Sequence, residues 1–122
     1  MITVLYIATG GALGAILRYG ISVFFKYYFP FFPLGTLFVN FTGSILIGLL
    51  VSYSQSQLSN PLFIKYFLII GFLGSFTTFS AFSLESLEMF NDKKILISLT
   101  YIFLSVFLCI FGAGIGYLIN KI

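Results

Sequence analysis

Four long apolar runs follow one another along the chain: Ile2 to Phe25, Leu34 to Tyr53, Leu62 to Phe90 and Ile95 to Ile119. Each reaches the ~20 residues that a helix rising ~1.5 Å per residue needs to cross ~30 Å of hydrocarbon. Short polar or proline-marked connections separate them, at Lys26 to Pro33, Ser54 to Pro61 and Asn91 to Lys94. The pattern predicts an all-α membrane protein in which residues 1–122 form one four-helix transmembrane domain. A barrel is not expected, because the runs are continuously apolar and do not alternate over about 10 residues. Nor is a cleaved signal peptide expected. The first run lacks a basic start and outlasts the ~7–15-residue apolar region of a signal. It also carries Gly10, Gly11, Gly14 and Gly20, residues of the kind that pack membrane helices.

The third run is the uneven one. Its centre is Phe76, and around that point Gly71, Gly74, Ser75, Thr77, Thr78, Ser80 and Ser83 crowd together, where hydrocarbon offers no water to a loosened backbone. Gly71 and Gly74 mark a place where the third helix can unwind, with a Ser or Thr to cap a second half-helix and freed carbonyls to line a cation site. Spacing alone favours a plainer role for the same glycines, close helix approach, as at the GxxxG pairs Gly10/Gly14 and Gly112/Gly116.

Composition narrows the chemistry. Charged side chains make up 7% of the chain and hydrophobic ones 60%, against about 25% charged in a soluble domain. There is no histidine, no phosphate-binding glycine loop and no cysteine cluster, and the one aspartate, Asp92, lies in a connection. An enzyme is therefore not expected, and no nucleic-acid partner is either. The positive side chains divide two against four, a difference that the N-terminal amine narrows: Lys65 and Lys121 on one side, Arg18, Lys26, Lys93 and Lys94 on the other, here side B. The positive-inside rule gives only a weak vote on such a count, so a single fixed topology and insertion in both directions stay open. Four helices are too few to enclose a passage easily, and two opposite insertions would allow an antiparallel homodimer.

Helix rise assigns each polar residue a depth. Asn40 falls about 9 Å below side B, and Phe79 and Phe82 reach a similar level. On the fourth run Tyr101, Ser105 and Cys109 recur at every fourth position, forming one stripe of uncharged donors. Such a stripe suits a track for a small ion, and it suits a helix-packing seam as well. Glu85 lies near the side B interface, where Arg18 can pair with it or extend to water. Aromatic ring edges are positive, so Phe79 and Phe82, flanked by Ser80 and Ser83, can meet an anion.

Three motifs in order, Gly11-Ala-Leu-Gly14-Ala15-Ile-Leu-Arg18-Tyr19, Gly35-Thr36-Leu-Phe-Val39-Asn40-Phe-Thr-Gly43 and the Gly71 to Glu85 stretch, resemble those of the Fluc (CrcB) fluoride channels over essentially the whole chain. The resemblance implies an antiparallel, dual-topology homodimer with two fluoride pores in the bacterial plasma membrane, exporting fluoride from the cytoplasm and so relieving its toxicity. It implies a structural sodium at the dimer axis, held by the backbone carbonyls of Gly74 and Thr77. It further implies a fluoride path along Asn40, Phe79 and Phe82, with Ser80 and Ser83 beside the rings and Tyr101, Ser105 and Cys109 on the polar track. Arg18 and Glu85 fall at a vestibule or pair with one another. Cys109 departs from the hydroxyl expected at its position, and Ala81 stands where the family often has threonine. Two other functions compete with this one. A proton-coupled exporter of cationic compounds would fit four short spans and balanced loops but needs a deep carboxylate, and Glu85 is interfacial. A small assembly subunit would explain the glycine faces but leave the polar stripe without a task.

Overall fold

A computed structural model describes residues 1–56, 60–119 and 121. Helix α1 spans Ile2–Tyr28, and α2 spans Leu34–Ser56. A wide helix, Phe63–Leu73, runs into the single turn α3, Gly74–Phe76; α4 spans Phe79–Asn91 and α5 spans Ile95–Ile119. Four helical stretches are long and apolar enough to cross a membrane: Ile2–Tyr28, Leu34–Ser54, Phe63–Asn91 and Ile95–Ile119. The first two helices each run three residues past the expected ends, so the first connection shrinks to residues 29–33. Tyr27 and Tyr28 prolong α1 as amphipathic rings suited to a membrane interface. The second connection, expected from Ser54 to Pro61, lies outside the described residues at positions 57–59.

Within Phe63–Leu73 the backbone is wound in the broad π-helical form, and the N–H of Gly74 still reaches back five residues to the carbonyl of Ile69. This stretch lies backbone to backbone against α1. A β-carbon on Gly71 would come within 2.9 Å of the Ile7 carbonyl and 3.2 Å of the Gly10 α-carbon, and one on Gly10 would collide with the Phe67 carbonyl. A second seam of the same kind joins α2 to α5, where β-carbons on Gly48 and Gly116 would strike the carbonyls of Ala113 and Ile45. Lipid tails are as apolar as leucine, so helices in a bilayer gain from such close packing where burial alone offers them nothing.

The largest departure from helical geometry falls on two threonines, not on a glycine. Gly74 has helical dihedrals (φ −60°, ψ −29°), whereas Thr77 (φ −83°, ψ 155°) and Thr78 (φ −152°, ψ 118°) are extended. β-Branched side chains are stiff and favour this region. Thr78 then caps α4, its hydroxyl accepting from the Ala81 N–H at 3.2 Å. At its far end α4 closes through Lys93, held at φ 59°. The N–H groups of Lys93 and Lys94 return to the carbonyls of Phe90 and Met89, the paired bonds of a Schellman stop without its usual glycine.

The interior is thin. Val39, Leu73 and Phe76 form one buried cluster, and Phe82, Met89 and Tyr101 another. Only 11 to 28% of the most apolar window of each span is buried within the chain, so most of the span surface must face lipid or another copy.

Candidate functional site

The extended pair Thr77–Thr78 is held by side chains from other helices. Asn40 of α2 donates from Nδ2 to the Thr78 carbonyl at 2.9 Å, and its Oδ1 accepts from the Thr78 N–H at 2.7 Å. The carboxamide thus replaces both backbone partners that a continuing helix would supply to Thr78. Arg18 of α1 donates from Nε to the Ser75 carbonyl at 3.0 Å. These bonds divert the donors of neighbouring carbonyls. The N–H of Thr78, the helical donor to Gly74, goes to Asn40, and the N–H of Ala81, the helical donor to Thr77, goes to the Thr78 hydroxyl.

Beside this segment opens a cleft of about 400 Å³, whose wall includes Asn40, Thr77, Phe79, Phe82, Ser105 and Cys109. Gly74, Gly43 and Ser44 also border it, and among the described residues no charged one does. Two features make it a donor-rich space. Ser105 Oγ is buried without a hydrogen-bond partner among the described residues. An amide nitrogen carries two hydrogens, and the contact with Thr78 uses one of those on Asn40. Phe79 and Phe82 stand 5.1 Å apart between ring centroids, and Phe82 is buried while Phe79 is 75% exposed in the single chain.

Other expected site residues lie elsewhere. Tyr101 does not border the cleft: it is fully buried, its ring 5.3 Å from that of Phe82, and its hydroxyl donates to Glu85 Oε2 at 2.7 Å. Ser83 bonds back to the Phe79 carbonyl at 2.9 Å, and Ser80 lies 3.1 Å from the Thr78 hydroxyl; both are exposed. The stripe of the fourth span therefore divides, with Ser105 and Cys109 on the cleft and Tyr101 on a separate polar knot. In that knot Glu85 accepts from Thr36 Oγ1 at 2.7 Å as well as from Tyr101, and it does not pair with Arg18. Arg18 and Glu85 both border a second cavity of about 500 Å³, with Lys26, Glu88, Asp92 and Lys94. The motif containing Thr36 carried no assignment for that residue. Its position two residues into the second span put it near the level of Glu85, which was the available signal.

Among the described residues no group of three His, Cys, Asp or Glu could hold a metal ion. The oxygens that the cleft residues offer a cation are neutral ones, of backbone carbonyls, hydroxyls and the Asn40 amide. The carbonyls of Gly74 and Thr77, their helical donors diverted, are hard neutral ligands of the type that unwound membrane helices offer to sodium.

Four apolar helices around an uncharged, donor-bearing cleft define a small multi-pass membrane protein equipped to handle a small ion rather than to catalyse a reaction. Residues 5–117 match the family model described as CrcB-like protein, Camphor Resistance (CrcB), and the chain belongs to this family. A protein of Campylobacter jejuni (strain RM1221) is 46% identical over 98% of both chains. A Flavobacterium psychrophilum protein is 43% identical, and one from Agrobacterium fabrum is 39% identical, each over 99% of this chain and 98% of its own. All three bear the name fluoride-specific ion channel FluC.

Proposed function

We propose that this protein is a passive, fluoride-selective channel that lets fluoride leave the cytoplasm across a bacterial plasma membrane. The observation that carries the reading is the buried hydroxyl of Ser105, which has no partner within 3.5 Å among the described residues and borders the same uncharged cleft as Asn40 and Phe82. Fluoride is small and strongly hydrated, so a pore must replace its water with donors. Hydroxyls, one amide hydrogen and ring edges do this without a buried cation that would hold the ion too firmly for passage. The names of the relatives agree with this chemistry. In this reading Asn40, Phe79, Phe82, Ser105 and Cys109 border the path. Tyr101, Ser80 and Ser83 support it through their bonds to Glu85, Thr78 and Phe79, and Arg18 and Glu85 stand at the vestibule.

The working unit is an antiparallel homodimer with two pores. The thin interior and the 75% exposure of Phe79 leave a wall for a second copy to complete. Thr77 and Thr78 form the break of the third span near the midplane, and the carbonyls of Gly74 and Thr77 face a structural sodium at the two-fold axis. A proton-coupled exporter of cations is not favoured, because both oxygens of Glu85 are engaged by Thr36 and Tyr101.

Purified protein in liposomes loaded with fluoride is expected to release it, with little release of chloride under the same gradient. Verified, folded protein that passes no fluoride would overturn the reading. Dual insertion has its own test. With Cys109→Ser removing the native thiol, a cysteine placed by Asn91→Cys is expected to react with an impermeant label from both sides of the membrane in separate populations of molecules. Labelling from one side only would leave the antiparallel arrangement without support from this chain alone.

A further inference from the structure

We infer that Arg18 is a positioning residue for the extended segment of the third span, acting through its Nε hydrogen bond and not through its charge. This deepens the channel reading, from which the segment takes its task, but the bond stands on geometry alone. When Thr77 and Thr78 turn extended, the carbonyls of residues 74–77 lose the N–H groups that a continuing helix would present to them. A carbonyl at such depth cannot be left without a donor at no cost. Arg18, 57 positions earlier in the chain, supplies the donor to Ser75 at 3.0 Å. Asn40 fixes Thr78 on the other flank of Thr77, at 2.7 and 2.9 Å. The segment is therefore clamped at both ends, from α1 and from α2.

The clamp also selects which oxygens remain open. A guanidinium against the Ser75 carbonyl occupies that oxygen and keeps a cation away from it. Gly74 and Thr77 are left as the carbonyls whose helical donors went to a neighbouring side chain without the oxygen itself receiving Arg18. Arg18 thus takes one of the four loosened carbonyls and leaves those of Gly74, Phe76 and Thr77 without it. Arg18 also borders the 500 Å³ cavity, so one side chain joins that cavity to the extended segment.

Three substitutions separate bond from charge. The side-chain nitrogen of glutamine occupies the same place in the chain of bonds as Nε of arginine, so Arg18→Gln keeps a donor to Ser75 and discards the charge. Arg18→Lys keeps the charge and discards the Nε donor, and Arg18→Met discards both. Hydrogen exchange of the backbone amides at 76–79, measured by mass spectrometry on the full-length protein in lipid nanodiscs, is expected to quicken roughly tenfold in Met and Lys and stay near the parent rate in Gln, as loss of one hydrogen bond implies. The sodium concentration giving half-maximal thermal protection is expected to rise in the same two variants. Unchanged exchange in Arg18→Met, or retention in Lys with loss in Gln, would overturn the inference. If the Met variant does not fold, the Lys and Gln comparison decides. Fluoride efflux from the parent protein reports separately on the channel reading, so the two can fail independently.

Discussion

Asn40→Leu is expected to remove fluoride efflux almost completely while leaving a membrane-inserted, four-span protein. Leucine has nearly the shape of asparagine and none of its polar atoms. The Thr78 N–H and carbonyl, now bonded to the carboxamide at 2.7 and 2.9 Å, would both lose their partner. Each backbone group left unsatisfied away from water costs about 1–3 kcal/mol. The cheapest escape is for residues 77 and 78 to return to helical bonding, which would rotate Phe79 and everything after it relative to the cleft. Asn40→Asp keeps an acceptor for the N–H but sets a second oxygen against the Thr78 carbonyl and a negative charge on the path of the anion. Efflux from liposomes should be high in the parent and nearly absent in both variants. Equal efflux in all three would remove Asn40 from both the pore and the support of the segment.

The second large effect concerns the seam between α2 and α5. A β-carbon on Gly116 would collide with the Ile45 carbonyl and lie 3.0 Å from the backbone nitrogen of Leu49, so neither neighbour can yield by moving a side chain. Gly116→Val should force the two helices apart and destabilise the protein by about 3 kcal/mol or more, at the upper end of overpacking penalties. Two residues earlier, a β-carbon on Gly114 would meet nothing within 4 Å. Gly114→Ala should be neutral or mildly stabilising, since alanine is the better helix former by up to about 1 kcal/mol. Thermal unfolding in detergent, followed by loss of monodisperse protein, should separate the two substitutions clearly. Comparable midpoints would show that the seam tolerates separation.

The contrast between those glycines marks the limit of reading this chain in one dimension. Span lengths were legible because hydrocarbon thickness fixes them, and the fourth helix has the bounds Ile95–Ile119 that the apolar run suggests. The irregularity of the third span was legible as a surplus of Gly, Ser and Thr, but its position was not. Gly71 turns out to serve close contact with α1, Gly74 stays helical, and the extended residues are Thr77 and Thr78. Local propensity could not decide this, because the partner that holds Thr78 is Asn40, 38 positions away. Depth arithmetic grouped Asn40 with Phe79 and Phe82, and the three do border one cleft. It could not say which way Tyr101 turns. A spacing of four residues sets a common helix face, whereas the hydroxyl at the end of a long side chain goes to whichever acceptor is near, here Glu85.

The clamps on the third span also bear on how the protein is made. A segment entering the bilayer by itself finds no hydrocarbon partner for the backbone groups of Thr77 and Thr78, so an unaccompanied third span is most stable as an unbroken helix. Its opening requires Asn40 and Arg18, which arrive with the second and first spans. The extended conformation is thus a property of the assembled helices and not of the third span alone.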